Sequence, residues 1–242
     1  MALPKLNTPT YKIKLHSIDH EISYRPFLVK EEKILLMAIE SKNDETMLQA
    51  IRQIINNCCT DVKKIKIESL PLFDLEYWFL HLRAKSVGES VKLMLPCAKC
   101  ESNVPVDFNI NDVALQLDDD HSPLVKLTDT VSIKMAYPNI KQFSSFTTQD
   151  TTKVTDKMFS LIRDCTESII EGDKIFEAKL QTKTELDEFV QSLNQEQFRK
   201  VIGFFDTMPK LRHTLNYQCT KEGCDERTTY TIQGLENFFL SP

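Results

Sequence analysis

Glycine is scarce, with five in 242 residues, and none falls in a Gly-rich phosphate loop. His-Glu-x-x-His and Gly-x-Ser-x-Gly are also missing, which removes common sequence routes to a metalloprotease or a serine hydrolase. No apolar run approaches the length of a membrane span. The opening Met1-Ala-Leu-Pro-Lys5 has no charged region followed by an apolar stretch, so a cytoplasmic protein is expected. A basic excess is absent too. Thirty Lys and Arg against 35 Asp and Glu leave a formal charge of −5, which gives no broad attraction for nucleic acid. The scattered acids form no specific pairing, and His81 and His213 sit in a core helix and at a strand start, so no enzyme is expected.

Cysteine, by contrast, occurs in a repeated setting. Of seven cysteines, four lie in two matching segments. The first is Val91-Lys-Leu-Met-Leu-Pro-Cys97-Ala-Lys-Cys100, followed by Glu101-Ser-Asn-Val-Pro-Val-Asp-Phe-Asn-Ile110. The second is His213-Thr-Leu-Asn-Tyr-Gln-Cys219-Thr-Lys-Glu-Gly-Cys224, followed by Asp225-Glu-Arg-Thr-Thr-Tyr-Thr-Ile232. Each reads as an alternating strand, a cysteine, a tight turn containing lysine, a second cysteine and a strand going back. Each then runs into a short apolar stretch, Val113–Leu115 and Leu235–Leu240. A tight turn places two sulfurs on one side, and two such knuckles facing each other supply four thiolates for tetrahedral zinc. Cys97, Cys100, Cys219 and Cys224 are therefore expected to hold one structural zinc ion, in a closed site with no open position for chemistry. The plainer alternative is two hairpins whose cysteines are buried or form a disulfide. Cys58, Cys59 and Cys165 read as small buried hydrophobes.

The remaining segments follow hydrophobic periodicity. Residues 1–10, with Pro4 and Pro9, read as an extended arm. Tyr11–Leu15 and Glu21–Arg25 alternate around a turn bearing His16 and His20, which predicts a β-hairpin with solvated histidines. A helix is expected over Glu31–Ile39, and its apolar block from Ile34 covers so much of the circumference that a central position is predicted. Asn43 or Asp44 caps a second helix with Met47, Ala50, Ile51, Ile54 and Cys58 on one face. Val62–Ile67 is strand-like or a connector. Leu72, Leu75, Phe79 and Leu82 mark a third helix beside the only tryptophan, Trp78.

Asp118-Asp-Asp-His-Ser-Pro123 reads as a linker, since adjacent acids cannot readily converge on one ion. Beyond it the pattern predicts a strand over Val131–Tyr137, a helix over Met158–Ile170 and a turn over Ile170–Ile175. Two capping boxes follow, Thr182 with Glu185 and Asn194 with Gln197, the latter with Leu193 and Phe198 as its staple and Pro209 marking the helix end.

The class expected is α+β, mostly helical, with an N-terminal β-hairpin and two cysteine-tipped β-hairpins forming a zinc-ribbon-like site. Residues 1–117 would hold the arm, hairpin, three-helix segment and first cysteine hairpin. Residues 124–242 would hold the strand, later helices and second cysteine hairpin, joined to the first part through the metal.

Leu3-Pro-Lys-Leu-Asn-Thr-Pro-Thr-Tyr11, then Tyr24-Arg-Pro-Phe-Leu-Val-Lys-Glu-Glu-Lys-Ile-Leu-Leu-Met-Ala-Ile-Glu-Ser41, then Arg83-Ala-Lys-Ser-Val-Gly88 resemble the baseplate hub proteins of T4-like contractile-tailed bacteriophages. The resemblance extends to about residue 110, where the first cysteine hairpin also fits. It implies a non-catalytic, chaperone-like factor for assembly of the tail baseplate hub, binding other hub proteins in the host cytoplasm. A permanent virion subunit is the alternative. A zinc-ribbon nucleic-acid binder is a third reading, opposed by Glu101, Asp107, Glu222, Asp225 and Glu226 around the cysteines. No membrane or small-molecule partner is expected. Leu3, Pro4, Pro9 and Tyr11 of the arm, and the Arg25-Pro26-Phe27 corner, are candidate contact residues. The corner has an equal internal reading, with Phe27 in the core and Arg25 paired to Glu31 or Glu32.

Overall fold

The computed structural model describes residues 6–61, 65–147 and 154–234, without the side chains of 145–147. Seven α-helices and eleven β-strands occur among them, so the class is mixed α+β. The β share is larger than that of a mostly helical chain, because several strands are too short or too polar to show period-two patterning. The chain divides into two compact units that are not consecutive halves. The first takes the described residues of Met1–Ile67, Phe73–Gln116 and Lys210–Pro242, and the second those of Glu68–Leu72 and Leu117–Pro209.

In the first unit, β1 (Tyr11–Lys14) and β2 (Glu21–Tyr24) form the expected antiparallel hairpin, with exposed His16 and His20 in its turn. Helix α1 (Val29–Ser41) follows. It is not central, since one side is covered while Leu36 and Met37 on the other face solvent. Helix α2 (Asp44–Cys58) is capped by Asn43, whose Oδ1 accepts the Thr46 N–H at 2.9 Å. Residues 62–64 lie outside the described chain, and Ile67 opens a short 3-10 turn.

Helix α3 (Leu72–Val87) buries Leu75, Trp78, Phe79 and Leu82, and Leu15, Ile22, Ile51, Ile54 and Ile55 of the same unit are buried as completely. Each such buried side chain contributes on the order of 2 kcal/mol through the apolar area it removes from water. Asp74 on α3 is wholly buried, and its two oxygens accept the N–H groups of His16 and Ser17, each at 2.9 Å. Asp74→Ala orphans both donors and is expected to cost about 2–4 kcal/mol. Denaturant unfolding checks this, and a loss under about 1 kcal/mol would contradict the role given to Asp74.

Strands β3 (Ser90–Pro96) and β4 (Asn103–Asn109) pair antiparallel and alternate strictly. Val91, Leu93, Leu95, Val104, Val106 and Phe108 point inward. A short strand, β5 (Ala114–Gln116), ends this part of the unit.

The second unit is a four-stranded antiparallel sheet with helices. Strand β6 (Leu124–Lys126), β7 (Val131–Met135), helices α4 (Ile140–Thr147) and α5 (Val154–Cys165), then β8 (Thr166–Glu171) and β9 (Lys174–Glu177) give the sheet order β6-β7-β8-β9. The helix expected over Met158–Ile170 thus ends at Cys165. Ile169 and Ile170 pair with Ile133 and Ser132 of β7, so tertiary pairing overrides the local apolar periodicity. Gly172, at φ +57°, opens the two-residue turn between β8 and β9. Helices α6 (Lys183–Gln191) and α7 (Gln195–Thr207) start at the expected capping boxes. Leu127, Ile133, Met135, Ile162, Cys165, Val190, Val201 and Phe204 form the core.

His121, read as part of a linker, is anchored within this unit. Its Nδ1 lies 2.9 Å from Thr207 Oγ1 and its Nε2 3.0 Å from Tyr137 Oη, with Tyr137 stacked on its ring.

The chain re-enters the first unit as β10 (Lys210–Gln218), which pairs with β5 on one side and with β11 (Arg227–Gln233) on the other. Gln116 and Lys210 lie directly opposite each other, so the chain leaves and returns through neighbouring strands.

Candidate metal centre

The two cysteine turns cap the β3–β4 and β10–β11 hairpins, and both belong to the first unit. The site therefore lies inside one unit and does not join two consecutive halves. In the first turn the Cys97 N–H donates to the Ser102 carbonyl at 2.9 Å and the Glu101 N–H to the Cys97 carbonyl at 3.0 Å. In the second, the Cys219 N–H donates to the Glu226 carbonyl at 2.9 Å and the Cys224 N–H to the Lys221 carbonyl at 3.0 Å. Gly223 takes φ +80° there, a conformation glycine adopts without steric cost. The lysine N–H of each turn donates to the sulfur two residues before it, Lys99 to Cys97 at 3.5 Å and Lys221 to Cys219 at 3.4 Å. The sequence repeat is thus a repeat of hydrogen bonding.

The four sulfurs lie within 4.8 Å of one another. Across the hairpins, Cys97 and Cys224 are 3.8 Å apart and Cys100 and Cys219 3.6 Å. Tetrahedral zinc, with Zn–S bonds of about 2.3 Å, requires roughly 3.8 Å between sulfurs. None of these cysteines is in a disulfide. Cys97, Cys219 and Cys224 are buried and Cys100 is half-buried. The Tyr217 hydroxyl donates to the Pro96 carbonyl at 2.7 Å and holds one hairpin to the other.

Ser102 is a site residue that the sequence reading missed. Its Oγ lies 2.9 Å from the Cys100 sulfur and 3.5 Å from that of Cys219. Hydrogen bonds from its hydroxyl and its backbone N–H lower the Cys100 thiol to about 6. The same hydroxyl, with the Lys221 N–H, lowers Cys219. The Glu226 backbone favours the Cys224 thiolate, but burial and the three neighbouring sulfurs together push it up to about 12. The only sequence signal for Ser102 was its place two residues after the second cysteine.

The other cysteines are buried in the cores. Burial pushes Cys58 up to about 11, and burial with nearby Asp164 pushes Cys165 up to about 12, which keeps both as unreactive thiols.

Of the candidate contact residues, Leu3 and Pro4 lie outside the described residues, and Pro9 is exposed. Tyr11 is half-buried, with its ring 6.0 Å from that of Tyr24 and beneath the Lys85 ammonium. The corner is built inward. Phe27 is buried, its N–H donates to Ser86 Oγ at 2.9 Å, and Arg25 pairs with buried Glu31 at 3.0 Å. Pro26 is half-buried beside them, its carbonyl accepting from Arg25 Nη1 at 2.8 Å.

Fold and site together define an α+β protein whose first unit carries a quartet of thiols able to hold a metal ion. A family model described as "T4 bacteriophage base plate protein" matches residues 8–240, and the chain belongs to that family. Among curated proteins and among solved structures nothing matches. As a base plate protein it works among other phage tail proteins. No helix among the described residues is long and apolar enough to cross a membrane.

Proposed function

We propose that this chain is a non-catalytic assembly factor for the hub of the phage tail baseplate, with a first unit stapled by one zinc ion on Cys97, Cys100, Cys219 and Cys224. The observation that carries the reading is the family match over residues 8–240. The sulfur quartet supports the zinc: four thiolates at tetrahedral spacing suit that ion and leave no coordination site for a substrate. A zinc-ribbon-like pair of hairpins would then act as a clasp, closing the loop between Cys100 and Cys219 across the inserted second unit. The arm ahead of β1, where Leu6 and Pro9 are exposed, offers a surface for other hub proteins.

Copy number tests the assembly role. Quantitative mass spectrometry is expected to find the chain in baseplate intermediates from infected cells and not in mature virions. A fixed integer ratio to other hub proteins in both samples would instead make it a permanent subunit. Glu101, Asp107, Glu222 and Asp225 are exposed around the cysteine turns, so no mobility shift with DNA or RNA is expected at physiological salt.

A further inference from the structure

Helix α1 carries apolar side chains on two sides, and among the described residues only one of those sides is covered. Glu31, Leu35 and Ala38 are buried against the first unit. On the opposite side Val29, Leu36 and Met37 are 80%, 54% and 60% exposed. Lys33 and Glu40 share that side, because positions 29, 33, 36, 37 and 40 recur at helical spacing. Both are exposed, and among the described residues neither makes an ion pair. A single exposed leucine is ordinary, whereas the adjacent Leu36 and Met37, with Lys33 before them and Glu40 after them and Val29 beyond Lys33, mark a contact surface.

The placement of those charges says what the surface fits. Lys33 lies three residues before Leu36, and Glu40 lies three residues after Met37. The pattern is self-complementary under a two-fold axis through the Leu36–Met37 step. Packing two such helices antiparallel sets Leu36 and Met37 of one copy on those of the other, and brings each Lys33 to Glu40 of the second copy. An unrelated partner helix would need no such symmetry. We propose that this face of α1 is a self-association seam, through which two copies of the chain form an isologous dimer. One helix per copy is a small interface, so micromolar or weaker association is expected.

Sedimentation of the full-length, zinc-loaded protein over a concentration series tests this. The wild-type chain is expected to pass from monomer to dimer. Leu36→Glu and Met37→Glu, both at exposed positions, are expected to weaken dimerisation roughly tenfold or more while keeping the wild-type melting curve. Lys33→Glu and Glu40→Lys should each weaken self-association, since like charges then face each other. An equimolar mixture of those two variants should recover it, because the carboxylate introduced in one then meets the ammonium introduced in the other. A chain that stays monomeric at millimolar concentration would overturn the proposal. So would a dimer that survives Leu36→Glu, or a mixture that associates no better than its components.

Discussion

Replacing Cys97 or Cys219 with serine is expected to lower bound zinc from about one ion per chain to nearly none. The same change is expected to lower the melting temperature by at least roughly 8–16 °C, the shift that a loss of about 4 kcal/mol produces in a chain of this size. The hairpin tips bury three of the four sulfurs but have few other apolar side chains between them, so metal binding free energy is folding free energy there. Structural zinc in small domains is worth roughly 10–16 kcal/mol, which leaves a wide margin for an effect of that size. Chelation of the wild-type protein should reproduce it. Acidification should also release the ion, because protons compete with the metal for four thiolates. Cys165→Ala is the control, as it removes a buried thiol from the other unit and should leave zinc content unchanged. A Cys97→Ser protein with full zinc content, or a wild-type protein whose melting ignores the chelator, would end the metal reading.

The second large effect is expected at Arg25. Its Nη2 lies 3.0 Å from Glu31 Oε1, and it also donates to the carbonyls of Pro26 at 2.8 Å and Asn57 at 3.0 Å. Glu31 is fully buried, and its Oε2 accepts the Leu28 N–H at 2.9 Å at the start of α1. Arg25→Ala leaves a carboxylate in the core with only the largely exposed Lys30 nearby, at 3.5 Å, and is expected to cost about 3–5 kcal/mol. Arg25→Lys keeps the charge but loses the planar fork, so an intermediate loss is expected. Adding Glu31→Gln to Arg25→Ala should recover part of the loss, as no charge then remains buried without its partner.

The pH dependence of this pair has a defined sign. Burial alone would raise Glu31, but the Arg25 and Leu28 hydrogen bonds and the charges of Arg25 and Lys30 outweigh it and hold the carboxyl below its ordinary value. A depressed folded value means that the stabilisation is present above the unfolded pKa of about 4.3 and is lost as pH falls through the folded value. The wild-type melting temperature should therefore fall more steeply than that of Glu31→Gln between about pH 5 and about pH 3. Parallel curves would show that the pair does not couple to stability.

The cysteine hairpins are legible in the sequence because a turn between two alternating strands is a local pattern, and its second occurrence marks the two as a pair. Capping boxes at Thr182 and Asn194 are legible for the same reason, since three residues suffice to form them. Strand β8 is not. Ile169 and Ile170 continue the helical stripe through Ile162 and Cys165 as well as they fit a strand, and only β7 alongside them decides the matter. Helix α1 departs from expectation in the opposite direction, because an apolar circumference says that something covers it without saying whether that cover is the same chain.

By itself the sequence determined the elements whose signals span a few residues: the thiol turns, the helix starts, the β1–β2 hairpin and the absence of common catalytic motifs. Tertiary structure alone decided which distant pieces share a unit. Pairing of Gln116 with Lys210 puts the second cysteine hairpin beside the first and makes residues 117–209 an insertion. It also placed Ser102 against sulfurs from both hairpins and turned Arg25 inward to Glu31. The physical reason is range. Caps and turns are satisfied by hydrogen bonds between near neighbours, whereas β10 pairs with residues of β5 that lie far back in the chain, and the sulfurs meet across more than a hundred positions.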